Sequence, residues 1–166
     1  MFKELLVAKK SVIVQKWIEQ VLKTYSSETS NFLKLEKNQF SNPVGFTIRS
    51  NAEVIFNEFI AETNFEKISS ALNDIIKIRA IQDFSPSKAV AFVLLLKKII
   101  YDELEDDLKD KDIFYEFLRM ESIIDRIALM AFDLYMDCRE KVNQIRINQI
   151  KSGSISFMDK IGNQNQ

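Results

Sequence analysis

Between Asp112 and Ser152 the chain contains neither glycine nor proline. A breaker-free run of about 40 residues forms roughly 60 Å of helix at 1.5 Å per residue. That is longer than a bundle of this size can cover along its whole length. The expectation is therefore a long C-terminal helix with a buried centre and an end that projects or packs on a second chain. The centre, Ile127 to Met136, carries one charged residue, Asp133, whereas Arg139 to Ile150 is far more polar. Elsewhere turn residues are scarce, with 3 Gly and 2 Pro in 166 residues. A β-sandwich or barrel needs them every 8–12 residues or so, and is excluded.

Helical spacing recurs upstream. Leu5, Leu6, Val12, Ile13, Trp17, Ile18, Val21 and Leu22 place one apolar face on a helix from Phe2 to Tyr25. Ser26 to Ser41 reads as a connector pinned to the core by Phe32, Leu33, Leu35 and Phe40. Asn42-Pro43 is a cap followed by a residue suited to the first helical turn, and opens a helix to about Glu62. Gly45, near that start, is expected to cost little. A third helix runs from Asn64 to Gln82, and Ser85-Pro86 opens a fourth. Ala89 to Leu96 is apolar on all sides, which predicts a position in the middle of the bundle. The fifth begins near Asp112. The fold class is thus all-α: one domain of about five main helices, with a shape that fits a globin-like arrangement without haem. Residues 1–151 form the domain, and 152–166 are expected to be a flexible polar tail.

Charge and composition narrow the function. A formal net charge of −1 disfavours nucleic acid, whose binding rests on a basic field. The longest apolar run is far short of the roughly 18 residues of a membrane span. One cysteine, Cys138, excludes an internal disulfide and fits a cytoplasmic location. The charge is uneven: Asp102 to Asp112 holds seven acidic residues and two lysines, and Arg139 to Lys151 holds four basic residues and one acidic. These runs read as solvated surface, or as a complementary pair that orients subunits.

Histidine is absent, which removes the commonest general acid/base, the histidine-dependent nucleophile systems and most zinc sites. It also removes histidine ligation of haem. Glu103, Asp106, Asp107 and Asp110 lie at helical spacing, but the Glu-x-x-His motif of a bundle metal site is missing. No catalytic residue, metal or cofactor is expected. Cys138 shares an apolar stripe with Ala131, Leu134, Val142 and Ile145, and reads as packing or as a redox thiol. The most unusual patch is Arg79 to Ser87, polar at the junction of two apolar helices. It reads as a capping network or as the polar end of a small-ligand pocket. That pocket would use Arg79, Gln82, Asp83 and Asp133, with the Arg79 fork able to take an anion. Asp133 is a candidate partner of Arg79, and Arg49 and Arg126 are weaker candidates. Arg139, Val142, Ile145 and Arg146 form the expected interaction surface at the end of the long helix.

Three stretches resemble one family: Phe40-Ser-Asn-Pro-Val-Gly45, Ile78-Arg-Ala-Ile-Gln-Asp-Phe-Ser-Pro-Ser87 with Ala89-Val90 and Phe92-Val93, and Ile124-Asp-Arg-Ile-Ala-Leu-Met-Ala-Phe-Asp133 with Tyr135 to Lys141. They are similar to the RsbRD-type N-terminal domain, over roughly residues 1 to 151. The resemblance implies a non-enzymatic sensor or input domain of the RsbR co-antagonist kind, which acts in stressosome-type control of a stress sigma factor. Such proteins commonly carry a C-terminal STAS domain, which this sequence does not show after Gly153. The resemblance implies a regulatory protein partner, such as a separate STAS protein, and the projecting end of the long helix adds the expectation of a second copy of the chain.

Overall fold

The computed structural model describes residues 1–162, with side chains to residue 153. Among the described residues, six α-helices and one short 3-10 turn make the fold. They are α1 (Phe2–Leu22), α2 (Ser27–Leu35), α3 (Pro43–Ile60), α4 (Phe65–Ile81), α5 (Pro86–Leu104) and α6 (Lys111–Gly162), with the turn at Asp107–Lys109 before α6. The architecture is a single all-α bundle. Its last helix has 52 residues, about 78 Å at the standard rise.

α6 lies along α4 and α5, α1 fills the space between α5 and α3, and α3 packs on α4. α5 and α6 run antiparallel, because Tyr101 meets Phe117 while Lys97 pairs with Asp125. α4 and α6 run parallel, because Phe65 lies under Arg126 and Ala80 receives Arg139. The core centres on Trp17, Phe56, Phe92, Ile76 and Ile124, each 1% exposed or less. Burial of side chains this large, at about 25 cal/mol per Å² of apolar surface, is the main stabilising term. Trp17 also satisfies its one polar group. Its indole Nε1–H donates to the Phe92 carbonyl at 2.7 Å, and its ring stacks on Phe92.

The connector between α1 and α3 contains a helix, which is the first departure from the sequence reading. Ser26 caps α2 by accepting from the Thr29 N–H at 3.4 Å. Its Ser- and Thr-rich composition resembles a loop because those residues serve here as cap and as exposed face. Only Leu33 reaches the core; Phe32, Leu35 and Phe40 are 51, 83 and 87% exposed. A helix of 9 residues docks a single face.

Asn42 does more than start α3. Its Oδ1 accepts from the Gly45 N–H at 2.8 Å, and its amide donates to the carbonyls of Leu33 at 3.1 Å and Glu36 at 2.8 Å. A β-carbon on Gly45 would fall 2.8 Å from Asn42 Cγ. The glycine is therefore a requirement of this closure, not a small cost. Asn64 caps α4 through both Glu66 and Lys67 N–H groups. Ser85 occupies the cap position of α5 but makes no side-chain cap bond.

Two buried stretches are less buried than their composition predicts. In α5, Leu94 is 44% exposed, because α1 and α6 cover only part of that helix. In the centre of α6, Ile127, Ala128, Ala131 and Tyr135 are buried, but Leu129, Phe132 and Met136 are 67, 44 and 49% exposed. The buried stripe ends at Cys138, and every residue from 143 to 153 is exposed. Helix α6 passes through Gly153 and ends at Gly162. An isolated helical glycine costs only about 1 kcal/mol relative to alanine. Of the polar tail expected over 152–166, residues 163–166 lie outside the described residues.

Candidate functional site

The junction of α4, α5 and α6 is built from the end of α4. Its last residues close with the Phe84 N–H on the Arg79 carbonyl at 3.1 Å and the Asp83 N–H on the Ala80 carbonyl at 3.4 Å. This is the Schellman pattern. Asp83 takes the left-handed position, at φ 57°. Glycine is usual there, and aspartate is among the few other residues that tolerate it.

Arg79 is fully buried, with 0% exposure. Its guanidinium donates to the Lys88 carbonyl at 3.0 Å, to Thr24 Oγ1 at 3.1 Å and to the Val21 carbonyl at 3.5 Å. It lies over Phe84 at 4.9 Å, Phe92 at 5.0 Å and Tyr25 at 5.8 Å from the ring centroids. The charge is thus held by aromatic faces, by the Lys88 carbonyl and by the Val21 carbonyl at the C-terminal end of α1, where the helix dipole is negative. Burial lowers the Arg79 pKa, opposed by Tyr25. Burial also raises the Tyr25 phenol, against the pull of Arg79. Two buried atoms here have no hydrogen-bond partner, Arg79 Nε and the Tyr25 hydroxyl.

Asp133 does not pair with Arg79. It is exposed, and α6 presents Tyr135 and Arg139 to the junction in its place. The Tyr135 hydroxyl donates to the Phe84 carbonyl. Arg139 donates to the Ala80 carbonyl at 3.0 Å and to Asp83 at 2.5 Å, and Arg146 reaches Asp83 at 3.4 Å. Both arginines hold the Asp83 carboxyl below its ordinary pKa. The structure therefore joins Arg79, Asp83, Arg139 and Arg146 in one junction. Gln82 faces a cavity of about 190 Å³ beside Tyr25, Thr29, Leu33 and Asn42. Val142 is half-buried, and Ile145 is 57% exposed. Arg49 donates to the carbonyls of Leu33 and Lys34, and Arg126 stacks over Phe65 at 3.8 Å.

The acidic residues Glu103, Asp106, Asp107 and Asp110 do not share one helix. Glu103 ends α5, Asp106 and Asp107 sit in the following turn, and Asp110 caps α6 through the Asp112 and Ile113 N–H groups. Lys16 pairs with Glu103, Lys9 with Asp107 at 3.6 Å and Lys109 with Asp106 at 2.7 Å. Among the described residues no cluster of histidine, cysteine or carboxylate could hold a metal ion. Nor is any helix among them long and apolar enough to cross a membrane. Sequence reasoning missed an open groove of about 1030 Å³ between α1, α2 and α3, lined by Val14, Ile18, Lys34, Lys37 and Arg49. It forms because α2 is a helix, and the composition of that segment concealed the helix.

A helical bundle that spends its polar junction on internal closure, and sends one helix out beyond its core, defines a helical input or interaction module. The chain belongs to the family of the RsbT co-antagonist protein rsbRD N-terminal domain, whose model matches residues 11–150. It is accordingly a non-enzymatic sensor and interaction module like the input domain of RsbR-type stress regulators. An uncharacterized protein of Archaeoglobus fulgidus is 30% identical over 95 residues, which are 57% of this chain and 58% of that protein. The chain thus spans less than two thirds of that relative. No solved structure matches.

Proposed function

We propose that the chain is a cytoplasmic input module that pairs with a second copy of itself and passes its signal to a regulatory protein of the STAS type. The observation that carries this reading is the course of α6. Its core-facing stripe stops at Cys138, yet the helix continues with Ile145, Ile147 and Ile150 at 57, 44 and 69% exposure. Arg139 and Arg146, clamped on Asp83, fix the direction in which that segment leaves the bundle. A movement at the α4–α5 junction would reach the exposed segment through this clamp. Calorimetric titration against a purified STAS-domain protein tests the reading. Saturable binding that Ile145→Asp plus Ile150→Asp abolishes is expected, and no heat of binding with the unmodified chain overturns it.

A second reading is favoured by the unpaired Tyr25 hydroxyl beside the 190 Å³ cavity. In it, a small polar ligand binds near Gln82 and biases one helix arrangement. Thermal-shift screening against small anions and lipids tests it. A stabilising hit that disappears in Tyr25→Phe supports it; no hit contradicts it.

A further inference from the structure

Helix α6 carries two apolar stripes. The inner one, through Ile113, Phe117, Met120 and Ile124 to Tyr135 and Cys138, is buried in the chain's own bundle. The outer one runs through Tyr115, Leu118, Leu129, Phe132 and Met136, which are 40 to 67% exposed. With Ser122 and Asp125 these positions alternate in steps of three and four residues, the spacing of a helix–helix seam. Helices α1 to α5 leave its apolar members open, and reach the stripe where Lys97 of α5 pairs with Asp125.

Charge identifies the occupant. Along one flank of the outer stripe stand Arg119, Arg126, Asp133 and Glu140, seven residues apart and all exposed. Among the described residues none of the four enters an ion pair within the chain, and Arg126 stacks over Phe65 of α4 with no carboxylate beside it. The order is two cations and then two anions. Arg126 and Asp133 are equidistant from a midpoint between Leu129 and Met130, and so are Arg119 and Glu140. A two-fold axis at that midpoint sets Arg126 against the partner's Asp133 and Arg119 against the partner's Glu140, each pair made twice. It also brings Leu129 of each chain close to the partner's Phe132 at the centre. A parallel, in-register pair would instead leave Asp133 and Glu140 without a cation.

We infer that the outer face of α6 is the seam of a two-fold, antiparallel pairing of this chain, with Leu129 and Phe132 as its apolar centre and the Arg119, Arg126, Asp133 and Glu140 flank as its orientation code. This rests on the reading above that the chain pairs with itself, and names the surface. It also gives a role to Asp133, an isolated charge in an apolar stretch that the internal packing leaves unused.

The test is a charge swap with cysteine reporters, read by sedimentation equilibrium and oxidative cross-linking of the full chain. Asp133→Arg alone sets like charges across the axis, and should weaken the dimer at least about tenfold. Adding Arg126→Asp restores the opposite pairing and should recover the dimer. Far-UV circular dichroism of the single variant, unchanged from the unmodified chain, shows that it folds. In a Cys138→Ala background, Leu118→Cys with Asn143→Cys should cross-link two chains, and Leu118→Cys alone should not. A dimer unchanged by Asp133→Arg, or cross-linking by Leu118→Cys alone, overturns the seam while leaving self-pairing intact. An unmodified chain that sediments only as a monomer overturns both, and returns this face to a different protein.

Discussion

Asp83 and Arg139 lie 2.5 Å apart, joining the left-handed turn that closes α4 to the last buried turn of α6. Arg146 meets the other carboxylate oxygen at 3.4 Å. One aspartate therefore serves two purposes: it tolerates the positive φ at the turn, and it anchors α6 just where that helix leaves the core.

The pH dependence of this anchor follows from its sign. The Asp83 carboxyl is held below its ordinary value of 3.8, first by the hydrogen bond from Arg139 and then by the charge of Arg146. A depressed carboxyl stabilises the fold at pH above the unfolded value, and that contribution is lost as pH falls through the folded one. Asp83→Asn keeps a residue that tolerates positive φ and removes the charge. At neutral pH it should show faster amide exchange over Arg139 to Arg146 than the unmodified chain. The difference should vanish in acid, below the pH at which Asp83 protonates.

Gly45→Ala should destabilise the protein although alanine is the better helix former. The new β-carbon displaces Asn42, which is 1% exposed and makes three hydrogen bonds at the α2–α3 corner. Losing all three costs about 3 kcal/mol, at about 1 kcal/mol each, against a propensity gain of about 1 kcal/mol. A net loss of about 2 kcal/mol in urea unfolding is expected. A gain in stability would show that Asn42 moves aside freely.

Arg79→Lys should also be costly. A lysine offers a point charge, whereas the guanidinium reaches the Lys88 and Val21 carbonyls and Thr24 together while stacking on Phe84 and Phe92. Its planar fork is not replaced by an ammonium. Denaturant unfolding should show a loss of about 2 kcal/mol, mostly from carbonyls left unpaired. Stability within error of the unmodified chain would mean that the aromatic cage alone decides.

Trp17 is the single tryptophan and is 0% exposed, so its emission should be blue-shifted and resistant to acrylamide. Trp17→Phe keeps a ring beside Phe92 but leaves that carbonyl unpaired and the core underfilled. Thermal unfolding should show a loss of about 2–3 kcal/mol. Red-shifted, readily quenched emission from the folded chain would contradict the placement of α1.

The helices beginning at Asn42, Asn64 and Ser85 and the long last helix were legible from caps, prolines and one-sided periodicity. α2 was not, because serine and threonine mark caps and loops alike and the helix is too short for periodicity to show. At the junction, Arg79 and Asp83 stood out as polar residues between apolar helices, but their partners did not. Asp133 looked buried because its sequence neighbours are apolar. Those neighbours divide between two faces, and Asp133 lies on the outer one. The two stripes of α6 repeat at the same spacing, and merge in the sequence into one apolar centre. Only the packing of α4 and α5 on one side separates them.

Sedimentation equilibrium of the unmodified chain over a concentration series tests the two-faced character of α6 most directly. A mass rising to twice the 19.4 kDa of one chain is the predicted result. A mass of 19.4 kDa at every concentration would contradict it.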